Sequence, residues 1–320
     1  GLGRSCDMTN STVELESKPC PLGCSPADEK VLTGHDRINN LPGEFDVVRC
    51  GNCGLLRTDP RPTPTSIGFY YPDDYSPYLD TRVMSGSGSG GLKHWIKSLL
   101  DTKAQLIPKL QPGEMLEVGC ASGNYLDKMA SQGWQVKGIE FSPQAAASAR
   151  EAGYQVYTGS LESIDLESSE LDLITGWMVL EHLHDPLKGV KKLHDWAKPG
   201  AYLVLSVPNA GSIEFKLFLS RWYALHLPNH LYHFTPKTMT KLLQQAGWQV
   251  ESIHHQRVLS SFFSSLGYLL QDRGWPQLAR WVVGRPSDKV RLYQLLYPFA
   301  WLAAIFGQTG RMTVWAKKPH

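Results

Sequence analysis

The sequence predicts an α/β protein built on a doubly wound, mostly parallel sheet, and three observations carry that expectation. Met115 to Asn124 reads Met-Leu-Glu-Val-Gly-Cys-Ala-Ser-Gly-Asn, a short apolar run that follows the Pro112-Gly113 break, turns through glycine and continues at helical spacing from Asn124 to Met129. Short apolar runs then recur at 134–140, 154–157, 171–175 and 202–207, and strands alternating with helices imply a parallel sheet. Finally, 320 residues with 42% hydrophobic and 19% charged content suffice for a sizeable core.

In chain order, residues 1–17 are polar, lack the apolar core of a secretory signal, and read as a disordered tail or an expression remnant. Two close cysteine pairs follow, Cys20-Pro-Leu-Gly-Cys24 and Cys50-Gly-Asn-Cys53. Four soft ligands on two tight turns suit tetrahedral zinc, and with no open position such a metal would hold the fold rather than do chemistry. A redox pair or unliganded thiols is the alternative. Asp59-Pro60-Arg61-Pro62 reads as a stiff extended connector. It leads to a turn-rich segment holding Tyr70, Tyr71, Tyr75 and Tyr78, either packing between domains or a lid over a ligand pocket. The Ser/Gly stretch 85–91 is a flexible linker, and 92–106 has the apolar spacing of an amphipathic helix. The expected organisation is therefore a zinc module with a tyrosine-rich lid at 18–84, a linker at 85–91 and an α/β domain at 92–320.

The glycine turn places a ligand at the carboxyl edge of the sheet. Its spacing, Glu117-x-Gly119-x-x-x-Gly123, is not the one that seats a pyrophosphate, and no P-loop lysine accompanies it, so phosphate is a poor guess for the ligand. Glu140, an acid ending the next strand, can accept both ribose hydroxyls of an adenosine.

Residues 116–123, 138–142, 171–186, 193–209 and 230–248 resemble successive blocks of the class I S-adenosylmethionine (SAM) methyltransferases, with the ubiquinone-type O-methyltransferases the most similar-looking branch. The cysteine knuckles and tyrosine segment look like those of methyltransferases in deoxysugar and surface-glycan pathways. The resemblance implies a Rossmann-like seven-stranded sheet, with a small amino-terminal zinc module and a helical insertion before the last strand. It also implies that Glu117, Gly119, Cys120 and Gly123 surround the methionyl part of SAM or S-adenosylhomocysteine. Glu140 would bind the ribose and Phe141 the adenine face, Ser160 and Leu161 would stand at the adenine edge, and Gly176 and Trp177 would line the floor under the sulfonium.

Methyl transfer from a sulfonium needs alignment and exclusion of water, and a hydroxyl acceptor also needs a base. The histidine candidates are His182, His184, His226, His230 and His233, with Tyr71 and Tyr75 as further proton-bearing groups. Ubiquinone-type enzymes resemble this chain with Glu-x-x-Glu-His, where a divalent cation can sit; here Met178 replaces the first Glu, so a catalytic metal is not expected. His230 is the first choice of base, expected near its normal pKa because Asn229 stands where related deoxysugar C-methyltransferases have Glu. That replacement favours a hydroxyl acceptor over carbon. His182 is either a second base or a structural residue.

Residues 256–310 separate the expected last strands, 248–253 and 312–316, and hold two long uncharged stretches. The return to the sheet at Met312 argues against a membrane span and for helices that cap the pocket, pack in a dimer or rest on a membrane surface. Charge is uneven: residues 251–320 carry nine Lys or Arg against three acids, a net +6 on a body of −4. The overall +2 gives no reason to expect nucleic acid as partner, whereas the basic end favours a phosphate-bearing or lipid-linked acceptor. The expected protein is thus a SAM-dependent methyltransferase with structural zinc, acting on a hydroxyl of a small-molecule, sugar-nucleotide, glycan or lipid-linked acceptor. It would be cytoplasmic, with peripheral contact at the inner membrane surface through 256–310, as monomer or homodimer. The alternatives are a C- or N-methyltransferase on a deoxysugar nucleotide, or a SAM-binding interaction protein whose transferase site has decayed.

Overall fold

The computed structural model describes residues 13–71, 106–166, 170–284 and 290–320. Tyr75, Tyr78, the 85–91 linker and all but the last residue of the 92–106 helix expected from the sequence lie outside them.

The amino-terminal module contains β1 (Leu15–Glu16), β2 (Asp28–His35), β3 (Glu44–Cys50), β4 (Leu56–Thr58) and β5 (Arg61–Pro62). Strand β1 pairs antiparallel with β5, so residues 15 and 16 of the expected tail take part in the fold. Arg61, in the expected connector, acts as a buried bolt. Its guanidinium donates to Glu16 Oε1 at 3.1 Å, Tyr232 Oη at 2.9 Å and the His184 carbonyl at 3.0 Å, tying the module to two later segments.

The main sheet contains β6 (Glu114–Val118), β7 (Gln135–Glu140), β8 (Gln155–Thr158), β9 (Leu171–Trp177) and β10 (Ala197–Pro208), closed by β12 (Gln249–His255) and β13 (Arg311–Lys317). Its seven strands run in the order β12-β13-β10-β9-β6-β7-β8, parallel except for β13, which is antiparallel to both neighbours. Met115, Leu116 and Val118 on β6 and Leu171, Leu173 and Ile174 on β9 are all buried, as strands covered on both faces require.

Helices α1 (Asn124–Ala130), α2 (Pro143–Glu151), α3 (Pro186–Trp196), α4 (Ile213–Phe218) and α5 (Pro236–Gln245) follow the local start signals. Ser142, Asp185 and Thr235 cap α2, α3 and α5 through side-chain oxygens, each followed by a proline whose missing N–H costs nothing there. Between β9 and α3 the chain makes only a 3-10 turn at Leu180–His182. The single turn leaves Glu181 and His182 at the strand's carboxyl end instead of carrying them along a helix.

Residues between β12 and β13 form α6 (Ser260–Asp272), α7 (Pro276–Val283) and α8 (Val290–Ile305). Phe263 and Leu270 of α6 pack on Ala279 and Val282 of α7, with Leu296 of α8 against them. Asp272 receives two hydrogen bonds from Arg37 of the amino-terminal module and a third from Arg221, pinning the helical insertion in place.

A feature not expected from the sequence joins the modules more closely. The insertion after β10 contributes β11 (Tyr232–His233), which pairs with β4 and completes a four-stranded sheet ordered β11-β4-β3-β2. Thr58 adds two bonds: its N–H donates to the Leu231 carbonyl at 2.9 Å and its hydroxyl to the His230 carbonyl at 2.8 Å. The cysteine-bearing module thus holds the backbone of the candidate catalytic loop.

Candidate active site

The glycine turn after β6 is built for close approach. Gly119 has φ 72°, and a Cβ there would meet Val179 Cγ2 at 2.4 Å; Gly123 has φ 90° and starts α1. Glu140 is buried at the end of β7, where Oε2 accepts from the Ala121 N–H and Oε1 from the Ser142 N–H, both at 2.8 Å. Burial raises its pKa, against the lowering effect of amide donors at Ser142, Ala121 and Phe141. Each carboxylate oxygen keeps a second lone pair for a ligand hydroxyl.

Beside it, four buried polar atoms have no hydrogen-bond partner among the described residues: Glu117 Oε2, Tyr125 Oη, Thr175 Oγ1 and Trp177 Nε1. Glu117 and Thr175 are register partners on β6 and β9, and the Tyr125 and Trp177 rings meet edge-on at 5.2 Å. Burial, reinforced by the Glu140 charge, drives the Glu117 pKa well above the usual carboxylate range. Unpaired buried donors and acceptors are costly, and a polar ligand at this edge would satisfy them. Phe141, beyond Glu140, leaves an apolar ring 53% exposed. Ser160 hydrogen-bonds Ser163, with Leu161 buried next to it. Gly176 lies at the β9 end, where a Cβ would strike Leu205. The Cys120 thiol packs with Leu126, Ala146, Ala149 and Val156, so only the backbone of this residue faces the turn. These residues fit SAM: a buried acid for the ribose, an open aromatic face for the adenine, and unpaired polar groups near the glycines.

Val179, seated on Gly119, leads within three residues to a cluster of histidines. His182 Nδ1 lies 2.8 Å from Tyr71 Oη and 3.0 Å from the Asn229 carbonyl. The carbonyl can only accept, so the Nδ1–H tautomer satisfies it and leaves Nε2 unprotonated. His230 Nδ1 donates in the same way to the Ala224 carbonyl at 2.8 Å. Its ring meets His182 at 4.6 Å and His226 at 4.7 Å, both edge-on. His230 is only 4% exposed, beneath the partly exposed His182 and His226.

Two expectations for His230 change. A carboxylate is present after all: Glu181 Oε1 approaches His230 Nε2 at 4.0 Å, from a position the sequence did not link to it. Asn229 instead donates to the Tyr70 carbonyl at 2.9 Å. The pKa is also not near normal. Burial, then the charges of His182, His226 and His233, push His230 well below the usual imidazole range, while burial lowers His182 to about 4 and His226 to about 3. Burial raises Glu181 to about 8, so acid and imidazole both favour their neutral forms. His233 points away, to Thr58 Oγ1 at 3.3 Å, and His184 Nε2 contacts the Pro62 carbonyl at 3.1 Å.

Among the described residues, side chains able to hold a metal group in two places. The sulfurs of Cys20, Cys24, Cys50 and Cys53 lie within 4.8 Å of one another, with Cys20 Sγ to Cys53 Sγ at 3.5 Å. Tetrahedral zinc at about 2.3 Å from each sulfur needs separations near 3.8 Å, so the set fits structural zinc. Burial opposes the Cys50 thiolate, but backbone donors at Cys53 and Asn52 outweigh it and bring the thiol to about 7. Glu181, His182 and His230 form the second group. With one carboxyl, itself held protonated by burial, and two imidazoles, it does not match the oxygen-rich shell of a hard dication.

Fold, glycine turn and strand-end acids together define a class of protein. The chain belongs to the methyltransferase-domain family, whose pattern matches residues 92–253, and it is a SAM-dependent methyltransferase. It is 31% identical over 160 residues to a ubiquinone biosynthesis O-methyltransferase of Xanthomonas axonopodis pv. citri, covering 45% of this chain and 67% of that one. A protein of the same description from Xanthomonas campestris pv. campestris is 29% identical over 201 residues, covering 59% and 83%. A more distant likeness links it to a solved SAM-dependent methyltransferase from Mesorhizobium loti, with a TM-score of 0.45, 16% identity and coverage of 66% and 94%.

Proposed function

We propose that this protein transfers a methyl group to a hydroxyl oxygen, with His182 as the base that takes the hydroxyl proton. The observation that carries the reading is the short path from Gly119 through Val179 to His182, whose Nδ1–H is held by the Asn229 carbonyl and Tyr71. Glu140 and Glu117 hold SAM by its ribose and methionyl ends, with Phe141, Ser160 and Leu161 around the adenine and Gly176 and Trp177 under the reacting centre. Bound SAM supplies an electrophilic methyl and leaves as a neutral thioether.

His182 is partly exposed, Nε2 is its unprotonated nitrogen, and Asn229 and Tyr71 fix its tautomer and orientation. Its low pKa keeps it neutral at pH 7 and makes it a modest base, so alignment and exclusion of water supply much of the rate. His230, behind it, is a positioning residue. The ubiquinone-pathway names of the relatives, together with the basic carboxyl-terminal region, support a phenolic or lipid-linked hydroxyl acceptor, with a sugar nucleotide or glycan as the further candidates.

Methyl-labelled SAM incubated with prenylated catechols, sugar nucleotides and lipid-linked sugars tests this. The expected product carries label as an O-methyl ether by carbon NMR; a C- or N-methyl product would overturn it.

A further inference from the structure

Helix α7 has two apolar stripes where one suffices for packing. Ala279 and Val282 face the α6 core, while Trp275, Leu278 and Trp281 recur every three residues on an adjoining exposed face, Trp281 being 65% exposed. Gln277 and Arg280 form the remaining polar stripe. Helix α8 is apolar nearly all round and also exposes Trp301 and Ile305; along its open side Leu295, Phe299, Leu302 and, just past its end, Phe306 follow at spacings of four, three and four, a line of side chains about 16 Å long. Leu295 is 70% exposed, and Phe299 and Phe306 are each 68% exposed. Scattered exposed apolar residues need no explanation, but two ordered stripes on neighbouring helices do.

The charge beside these stripes selects the occupant. From Arg273 to Phe306 the sequence has five basic residues and one acid, Asp288, and Arg273 and Arg280 are exposed. The acid just before them, Asp272, is already neutralised by Arg37 and Arg221. A symmetric contact between two copies would bring like charges together, whereas anionic headgroups would pair with them. Tryptophan beside arginine, over an aliphatic and phenylalanine stripe, is the composition of a helix lying in the plane of a membrane interface. No helix among the described residues is long and apolar enough to cross a membrane.

We propose that α7 and α8 dock this protein on an anionic lipid surface, with Trp275, Trp281, Phe299 and Phe306 entering the headgroup boundary and Arg273 and Arg280 pairing with lipid phosphate. This goes beyond the methyl-transfer reading and does not depend on it, since its test reads binding alone.

The full chain is sedimented with phosphatidylcholine vesicles and with vesicles that also contain phosphatidylglycerol, at low and raised salt. The proposal expects capture by the anionic vesicles, weakened by salt, and a loss of about tenfold or more in partitioning for Phe299→Ser/Phe306→Ser. SAM affinity should be unchanged in that variant. Should it unfold, Trp281→Ser and the lipid and salt dependence of the unaltered chain carry the same test. Absence of capture by anionic vesicles would overturn the proposal, as would equal capture of the variants. A dimer in ultracentrifugation that these substitutions split, without vesicle binding, would assign the face to a second copy instead.

Discussion

The hydroxyl of Tyr71 sits 2.8 Å from Nδ1 of His182, although 111 residues separate them in the chain. That contact brings Tyr71 of the amino-terminal module to the carboxyl edge of the methyltransferase sheet. The same module holds the His230 loop from behind, through Thr58 and the β4–β11 pairing. In the proposed reading, cofactor binding therefore falls to one module, and the acceptor side of the site is shared by both.

Loss of the Glu140 carboxylate should weaken SAM binding. Glu140→Ala removes charge-assisted hydrogen bonds, and calorimetry should read a loss of about 1.5–3 kcal/mol. Because Glu140 also anchors the Ala121 and Ser142 amides, Glu140→Gln should recover only part of it. Unchanged affinity in both variants would contradict the cofactor assignment.

One zinc per chain should be found by metal analysis of freshly purified protein, and Cys50→Ser should abolish it. The module holds the catalytic loop rather than the cofactor turn, so this variant should lose turnover and thermal stability while SAM affinity stays within about threefold. A metal-free chain with full activity would remove the zinc assignment.

Acid should destabilise the folded protein through its buried histidines. His182 at about 4, and His226 and His233 at about 3, all lie below the ordinary imidazole value of 6.5. The unfolded chain takes up those protons first. The contribution is complete above pH 6.5 and is lost as pH falls through about 4 for His182 and about 3 for His226 and His233. Glu181 runs the other way: raised from 4.5 to about 8, its contribution is complete below 4.5 and lost as pH rises through 8. Thermal melts should drop by about 5 °C or more between pH 7 and 5, less so in His233→Gln, and Glu181→Gln should flatten the alkaline side. Pairs of melts with identical pH profiles would contradict the burial of these groups.

Much of the α/β framework was legible in the sequence because parallel strands buried on both faces read as apolar runs, and the caps Ser142, Asp185 and Thr235, each followed by proline, stand at the helix starts. The candidate cofactor residues were named from the sequence for a related reason, since the glycines and the strand acids Glu117 and Glu140 sit at fixed places in one local pattern. The acceptor side was not. Tyr71, Glu181, His182 and His230 meet only through tertiary packing, and a two-residue strand, Tyr232–His233, gives no periodic signal of its own. Burial depth, which sets His230 beneath His182, is likewise a property of the assembled loops. The sequence favoured His230 as base from its place in the insertion after the fifth strand; its burial is what leads the proposed reading to His182, the better-exposed neighbour.

The central claim is that a histidine at this edge accepts the acceptor's proton, and turnover of His182→Ala tests it most directly. On the acceptor identified with labelled SAM, the account predicts a fall in kcat of about 100-fold or more, with SAM affinity within about threefold. His230→Ala should show a comparable or somewhat smaller fall, and His233→Ala a minor one. Full turnover in His182→Ala, or small equal losses at all three positions, would contradict the account and leave alignment alone to carry the reaction.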